Sequence, residues 1–119
     1  MLYILPDSAG DILIAQATGT LTQDDYDDVF LAQIAKQLKP NHKLRILIYL
    51  DHDFTAIAED SHWHREHFFT QCPADIIRVA IVASDQYQYI SDNFKAANVK
   101  HFAVSDFLTA LHWTDEADI

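Results

Sequence analysis

The sequence predicts an α/β domain in which a mostly parallel central sheet of about five strands, entered through an N-terminal hairpin, is packed with about four helices. Two segments carry this expectation. Residues 44–50 and 76–83 are rich in Ile, Val and Leu and nearly continuous in apolar character, as strands covered on both faces are. Each is followed by a stretch long enough for a helix before the next apolar run, and strands alternating with helices through short loops imply parallel pairing. Length is the third observation: 119 residues without a repeat, a low-complexity segment or a linker make a single domain over 1–119 whose core needs no metal or disulfide.

The elements follow in order. Residues 2–5 are a short apolar run closed by Pro6, and 12–18 follow after Asp7-Ser-Ala-Gly-Asp, whose residues favour a turn; these are the two strands of the hairpin. Thr22 starts the first helix, because its hydroxyl can cap the amide of Asp25 while Asp24, Asp25, Asp27 and Asp28 complement the positive helix end. Tyr26, Val29, Phe30 and Ile34 recur at helical spacing and form a core face. The helix stops before Pro40, since the residue preceding proline is pushed out of the helical region. A helix around Trp63 follows the strand at 44–50, and another, roughly 86–97, follows the strand at 76–83. Residues 99–104 form the last strand, and Ser105 caps a final helix carrying Phe107, Leu108 and Leu111. Beyond it, 114–119 is acidic and without a partner pattern.

Charge limits the partners. Eighteen acidic residues against eight basic ones give a net charge of −10, which repels phosphate backbones and anionic headgroups, and the basic residues are scattered rather than gathered in a stripe. Nucleic acid is excluded as an expected partner. Seven histidines qualify the charge, because mild acid could largely discharge the surface. The lone Cys72 excludes an internal disulfide and fits a reducing compartment. No run approaches the length of a membrane span, so the expectation is a soluble, cytoplasmic chain.

Residues 59–69, Glu-Asp-Ser-His-Trp-His-Arg-Glu-His-Phe-Phe, hold three histidines and one of two tryptophans. At about 100° per residue from Ile57, the apolar positions Ile57, Ala58, Phe68, Phe69 and Cys72 fall within about 0–120°, whereas Trp63 falls near 240°. An outward tryptophan marks a contact surface. Phe54 before it, His67 one turn on, and Tyr87 and Tyr89 in the next helix extend that surface. His64 and His67 lack the order and spacing of a metalloprotease motif, so no metal and no cofactor is expected. Asp51, His52, Asp53 and Thr55 form a loop at the end of a central strand, where open α/β sheets usually bind ligands. No nucleophile accompanies Asp51 and His52 there, so no catalytic residue is assigned.

Several phrases of the chain, taken in their order, resemble one family: Leu5-Pro-Asp-Ser-Ala-Gly-Asp-Ile-Leu, Gly19-Thr-Leu-Thr-Gln-Asp-Asp-Tyr, Arg78-Val-Ala-Ile-Val-Ala, and Val104-Ser-Asp-Phe-Leu-Thr-Ala-Leu-His-Trp. They resemble the SpoIIAA-like family, a bacterial group with the STAS-type fold of anti-sigma-factor antagonists, over nearly the whole chain. The resemblance implies that fold, with ligand binding or membrane association. Better-known antagonists are switched by phosphorylation of a serine within an Asp-Ser-Ser-Gly type sequence. Here the region reads Leu50-Asp-His-Asp-Phe-Thr-Ala, with Thr55 the nearest hydroxyl and no glycine after it. The resulting expectation is a non-catalytic domain that binds an apolar small molecule or lipid, with peripheral membrane contact through the Trp63 helix as its variant. The alternative is a protein-interaction module of the antagonist type; a small enzyme or metal-binding protein ranks below both. The same exposed aromatic face would also serve a homodimer.

Overall fold

A computed structural model describes residues 1–5, 12–37, 44–57, 76–87 and 98–115. The apolar runs form β1 (Leu2–Ile4), β2 (Ile12–Leu21), β3 (Leu44–Ile57), β4 (Ile76–Val82) and β5 (Asn98–Phe102), joined in one sheet in the order β1-β2-β3-β4-β5. β1 pairs antiparallel with β2, and every later neighbour is parallel. The connection between β1 and β2, 6–11, lies outside the described residues.

After β2 the chain enters a helix whose first part is π-helical (Asp25–Leu31) and continues as α1 (Ala32–Gln37). Its start is capped from both sides, as the sequence predicts for Thr22. The Asp25 amide donates to the Thr22 hydroxyl (3.3 Å), and the Asp25 carboxylate accepts from the Thr22 amide (2.9 Å). Two backbone donors orphaned by a helix start are thereby satisfied. Tyr26, Phe30 and Ile34 from this helix are buried with Leu13, Leu21, Ile46, Ile48, Val79 and Ile81 on one face of the sheet. The alternation of β-strands puts Ile14, Leu47, Ala80, Val82 and Phe102 on the other face, where Ala110 of the C-terminal helix α2 (Phe107–Asp115) packs on them. Both faces of β3 and β4 are thus buried, which is why their sequences run apolar without alternation.

The structure revises several expected boundaries. β3 continues from Leu44 through Ile57, so Asp51, His52, Asp53 and Thr55 belong to a strand instead of a loop after it. Irregular pairing makes this possible: Ala17 pairs with Leu50 but Gly19 pairs with Phe54, so β3 carries extra residues between two points of contact with β2. Gly19 absorbs the mismatch at φ 63°, a backbone region that a side chain disfavours. Ser105 does not cap α2. A 3-10 turn, Val104–Asp106, leads into it from extended Ala103, and the Asp106 amide donates to the Ala103 carbonyl (2.9 Å), so backbone does the capping. Leu108 is 71% exposed, because the residues that α2 turns to the sheet are Phe107, Ala110, Leu111, Trp113 and Thr114. The expected helix around Trp63 lies outside the described residues, and of the one expected at about 86–97 only the 3-10 turn Asp85–Tyr87 is described.

This burial map predicts opposite outcomes for two leucines. Leu13→Ala, at a fully buried position, lowers the free energy of unfolding by about 2–5 kcal/mol. Leu108→Ala changes it by less than about 0.5 kcal/mol. Urea denaturation of the two variants measures both.

Candidate functional site

Two regions collect chemistry on this fold, and the first is the end of the sheet that the sequence singles out. Asp51 lies where β3 bulges. Its carboxylate accepts from Gln16 Nε2 of β2 (2.8 Å) and from the Asp53 amide (2.9 Å). Burial pushes this carboxyl up, but the hydrogen bonds from Gln16, the Asp53 amide and Thr18, together with the neighbouring His52, outweigh it and hold the group below its ordinary value. Asp51 therefore pins the bulge as an anion. His52 and Asp53 point into water, their side chains 88% and 69% exposed with His52 Nε2 3.5 Å from Asp53 Oδ1. Such an exposed pair has little energetic weight. The Thr55 and Thr20 hydroxyls lie 3.1 Å apart on neighbouring strands, both exposed.

Phe54 and Tyr87, which the sequence places in one aromatic lining, do meet. Their rings are edge to face at 4.8 Å, and the Tyr87 hydroxyl donates to the Phe54 carbonyl (3.0 Å). Phe54 is only 3% exposed, however, so the pair closes the core and presents little aromatic surface. Trp63, His67 and Tyr89 lie outside the described residues. On β5, His101 is buried on the same side of the sheet as Val99, with Nε2 3.9 Å from the exposed Asp85 carboxylate. Among the described residues neither of its ring nitrogens has a hydrogen-bond partner. No group of three or more metal-ligating side chains converges among the described residues.

The second region is on the opposite face. α2 has nine residues, a rod about 13.5 Å long and 10 Å wide, whereas the four parallel strands span about 14 Å across and the longer ones exceed about 30 Å in length. Leu47, Ala80 and Val82 on this face are fully buried, and among the described residues α2 is the element that packs on them. Beside it lies an open groove of about 850 Å³, within the range of small-molecule sites. Ile12, Ile14 and Phe102 are its strand-borne apolar lining, Ile14 and Phe102 only 4% and 6% exposed; Leu111 and Trp113 line it from opposite flanks of α2, and Lys100, Thr109, His112 and Asp115 are its polar groups.

Trp113 is held in place. Its ring lies 5.7 Å from Phe102, with the Arg78 guanidinium 5.1 Å from its centroid, and Arg78 donates to the Trp113 carbonyl (2.5 Å). Arg45 donates to the next carbonyl, Thr114 (3.2 Å). Lys100 Nζ lies 5.2 Å from the centre of the Phe102 ring. None of these groove residues belongs to the set that sequence reasoning assigned to a site. The signal available was the lone charge at the head of each apolar strand, Arg45 and Arg78, matched to an aromatic residue near the chain's end.

A family profile described as SpoIIAA-like matches residues 12–115. No curated protein matches the sequence. Among solved structures, the chain is similar to an uncharacterized protein with a SpoIIAA-like fold from Shewanella loihica, with a TM-score of 0.71, 19% sequence identity, and coverage of 95% of this chain and 93% of that one. At that identity the likeness bears on the fold. Among the described residues, no helix is long and apolar enough to cross a membrane.

The carboxylate at the bulge has a titration consequence. With its folded-state pKa depressed, Asp51 contributes stability that is fully present above the unfolded-state value and lost as the pH falls through the folded one. Replacing Gln16 by Ala removes a hydrogen bond to the anion, so the Asp51 transition observed by carboxyl-carbon NMR moves to higher pH. An unmoved transition would mean that Gln16 does not hold the carboxylate.

Proposed function

The chain belongs to the SpoIIAA-like family, and on that premise we propose that it is a non-catalytic domain that binds an apolar small molecule or lipid. The observation that carries the reading is the groove of about 850 Å³ beside α2, where Ile12, Leu111 and Trp113 are half-buried apolar residues on its lining. Burying such surface under a ligand yields roughly 25 cal/mol per Å² before the cost of immobilising the ligand. The proposal locates binding beside Trp113 in place of the Trp63 face. Peripheral membrane contact through Trp63 is its associated variant, and equal co-sedimentation of wild type and Trp63→Ala with phosphatidylcholine vesicles would exclude that variant.

A second reading, a protein-interaction module of the antagonist type, is supported by the exposed His52, Asp53 and Thr55 at the end of β3. There the backbone is fixed by Asp51 while the side chains beside it are free to meet a partner surface.

The groove is tested with a neutral apolar fluorophore, N-phenyl-1-naphthylamine, and its displacement by 1-dodecanol. Thr109→Trp fills the groove from an exposed helix position without removing a core residue. The expected result is saturable binding and displacement by wild type, with affinity at least tenfold weaker in the variant. Binding that is absent in wild type, or unchanged by Thr109→Trp, would reject the groove as the site.

A further inference from the structure

We propose that α2 is the contact between two copies of this chain, packed antiparallel along the seam Val104, Leu108 and Leu111 with the two-fold axis beside Leu108. The inference goes beyond the groove reading and does not rely on it, although Leu111 also lines the groove. Its starting point is apolar surface that the fold leaves uncovered. Met1, Tyr3, Val104 and Leu108 are the exposed large apolar side chains among the described residues, and Leu108, at 71%, is the most exposed of them. Leu108 follows Val104 by four residues and half-buried Leu111 follows Leu108 by three, so the three rise along one side of the helix at the i, i+4, i+7 spacing of a helix-docking face. A single exposed leucine is ordinary. A run in helical phase is a patch.

What selects a second copy is the charge at the two ends of this seam. Asp115 follows Leu111 by four residues on the same side, in the last turn of α2, where the negative end of its own helix opposes a carboxylate. It is exposed, and among the described residues it makes no ion pair. At the other end, the turn Val104–Asp106 starts without a side-chain cap, so backbone amides and the positive end of the dipole stand there. Asp106, two residues before Leu108, lies about 160° around the helix from it and turns away from the seam. Antiparallel packing through Leu108 brings the Asp115 carboxylate of each copy to the helix start of the other, whereas parallel packing would set the two carboxylates together. The face is therefore self-complementary under a two-fold axis, as a closed dimer requires. Size and net charge keep the pair weak. A nine-residue helix buries less than the roughly 800 Å² per partner of a standard interface, and copies each carrying a charge of −10 repel. At the low micromolar concentrations of a urea titration the copies are apart, so Leu108 adds nothing to the stability measured there.

Sedimentation equilibrium from about 1 µM to about 1 mM tests the pairing on wild type, Leu108→Glu and Ala35→Glu. Ala35 is exposed on α1, across the sheet from α2, so its substitution adds the same charge away from the seam. Both positions are exposed, so both variants keep the fold, which circular dichroism verifies. The expected result is a monomer–dimer equilibrium without larger species, weakened at least tenfold by Leu108→Glu and within twofold of wild type for Ala35→Glu. Under mild oxidation Leu108→Cys gives a dimer linked through position 108. Asp115→Cys does not link through position 115, because antiparallel packing holds its two copies about 21 Å apart along the helix axis. A dimer that Leu108→Glu leaves unchanged, or that Ala35→Glu weakens equally, would overturn the proposal, as would linkage at 115 as ready as at 108. Masses growing past the dimer would replace the two-fold contact with a head-to-tail one. A monomer at every concentration would reject a second copy as the occupant of the seam.

Discussion

Two guanidinium groups beneath the last turn of α2 govern how this sheet is closed on one side. Arg45 and Arg78 are direct cross-strand partners on β3 and β4, an arrangement that like charge and desolvation both oppose. What offsets it is the end of a helix. The carbonyls of Trp113 and Thr114 have no partner inside α2, carry the negative end of its dipole, and accept from Arg78 and Arg45 respectively. Each side supplies what the other lacks: a buried and a half-buried cation gain acceptors, and orphaned acceptors gain donors. The Thr114 hydroxyl turns back to the Ala110 carbonyl (2.8 Å), which keeps the last turn closed while the arginines hold its end.

That tie sets the direction of α2 and the position of Trp113. The helix starts past the end of β5 and returns toward the head of the strands, where Ile12, Arg45, Arg78 and Asn98 stand in one row. Trp113 is caught between the Arg78 guanidinium and the Phe102 ring, so one wall of the groove is an aromatic side chain with little rotational freedom left. A ligand meeting that wall would pay little to order it, which is the condition under which modest apolar area becomes useful affinity.

Most of the fold is legible in the sequence because periodicity reports burial directly. The continuous apolar runs at 44–50 and 76–83 are strands buried on both faces, and Thr22 with Asp25 forms the predicted cap. The failures have a common physical source: each depends on a neighbour distant in sequence. β3 runs on past Leu50 through Asp-His-Asp because β2, bent at Gly19, offers it a partner, and Gln16 neutralises the cost of the Asp51 carboxylate. Nothing local to Asp51 reports that. Ser105 has the right chemistry for a cap, but Ala103 already starts the turn through its own carbonyl. Leu108 fits a helical stripe only until the orientation fixed by the arginines turns it to solvent. The site was less legible still. Apolar groove residues such as Ile14 and Phe102 read as core in any pattern analysis, and at 4% and 6% exposure they are core as well as lining.

The same tie fixes where α2 lies on the sheet. The helix packs over β3 and β4, the inner two of the four parallel strands, where Leu47, Ala80 and Val82 are fully buried. Anchored at its C-terminal end by β3 and β4, α2 cannot shift toward β2 without pulling the Trp113 and Thr114 carbonyls away from Arg78 and Arg45, a loss of about 1.5–3 kcal/mol for each charged hydrogen bond. Covering a further ~100 Å² of apolar surface would return only about 2.5 kcal/mol. Electrostatics therefore wins over burial, and the helix keeps its place. Charge is what distinguishes the two faces of this sheet: the helix at Asp25–Leu31 and α1 packs on one through apolar side chains, whereas α2 is tied to the other by two arginines as well.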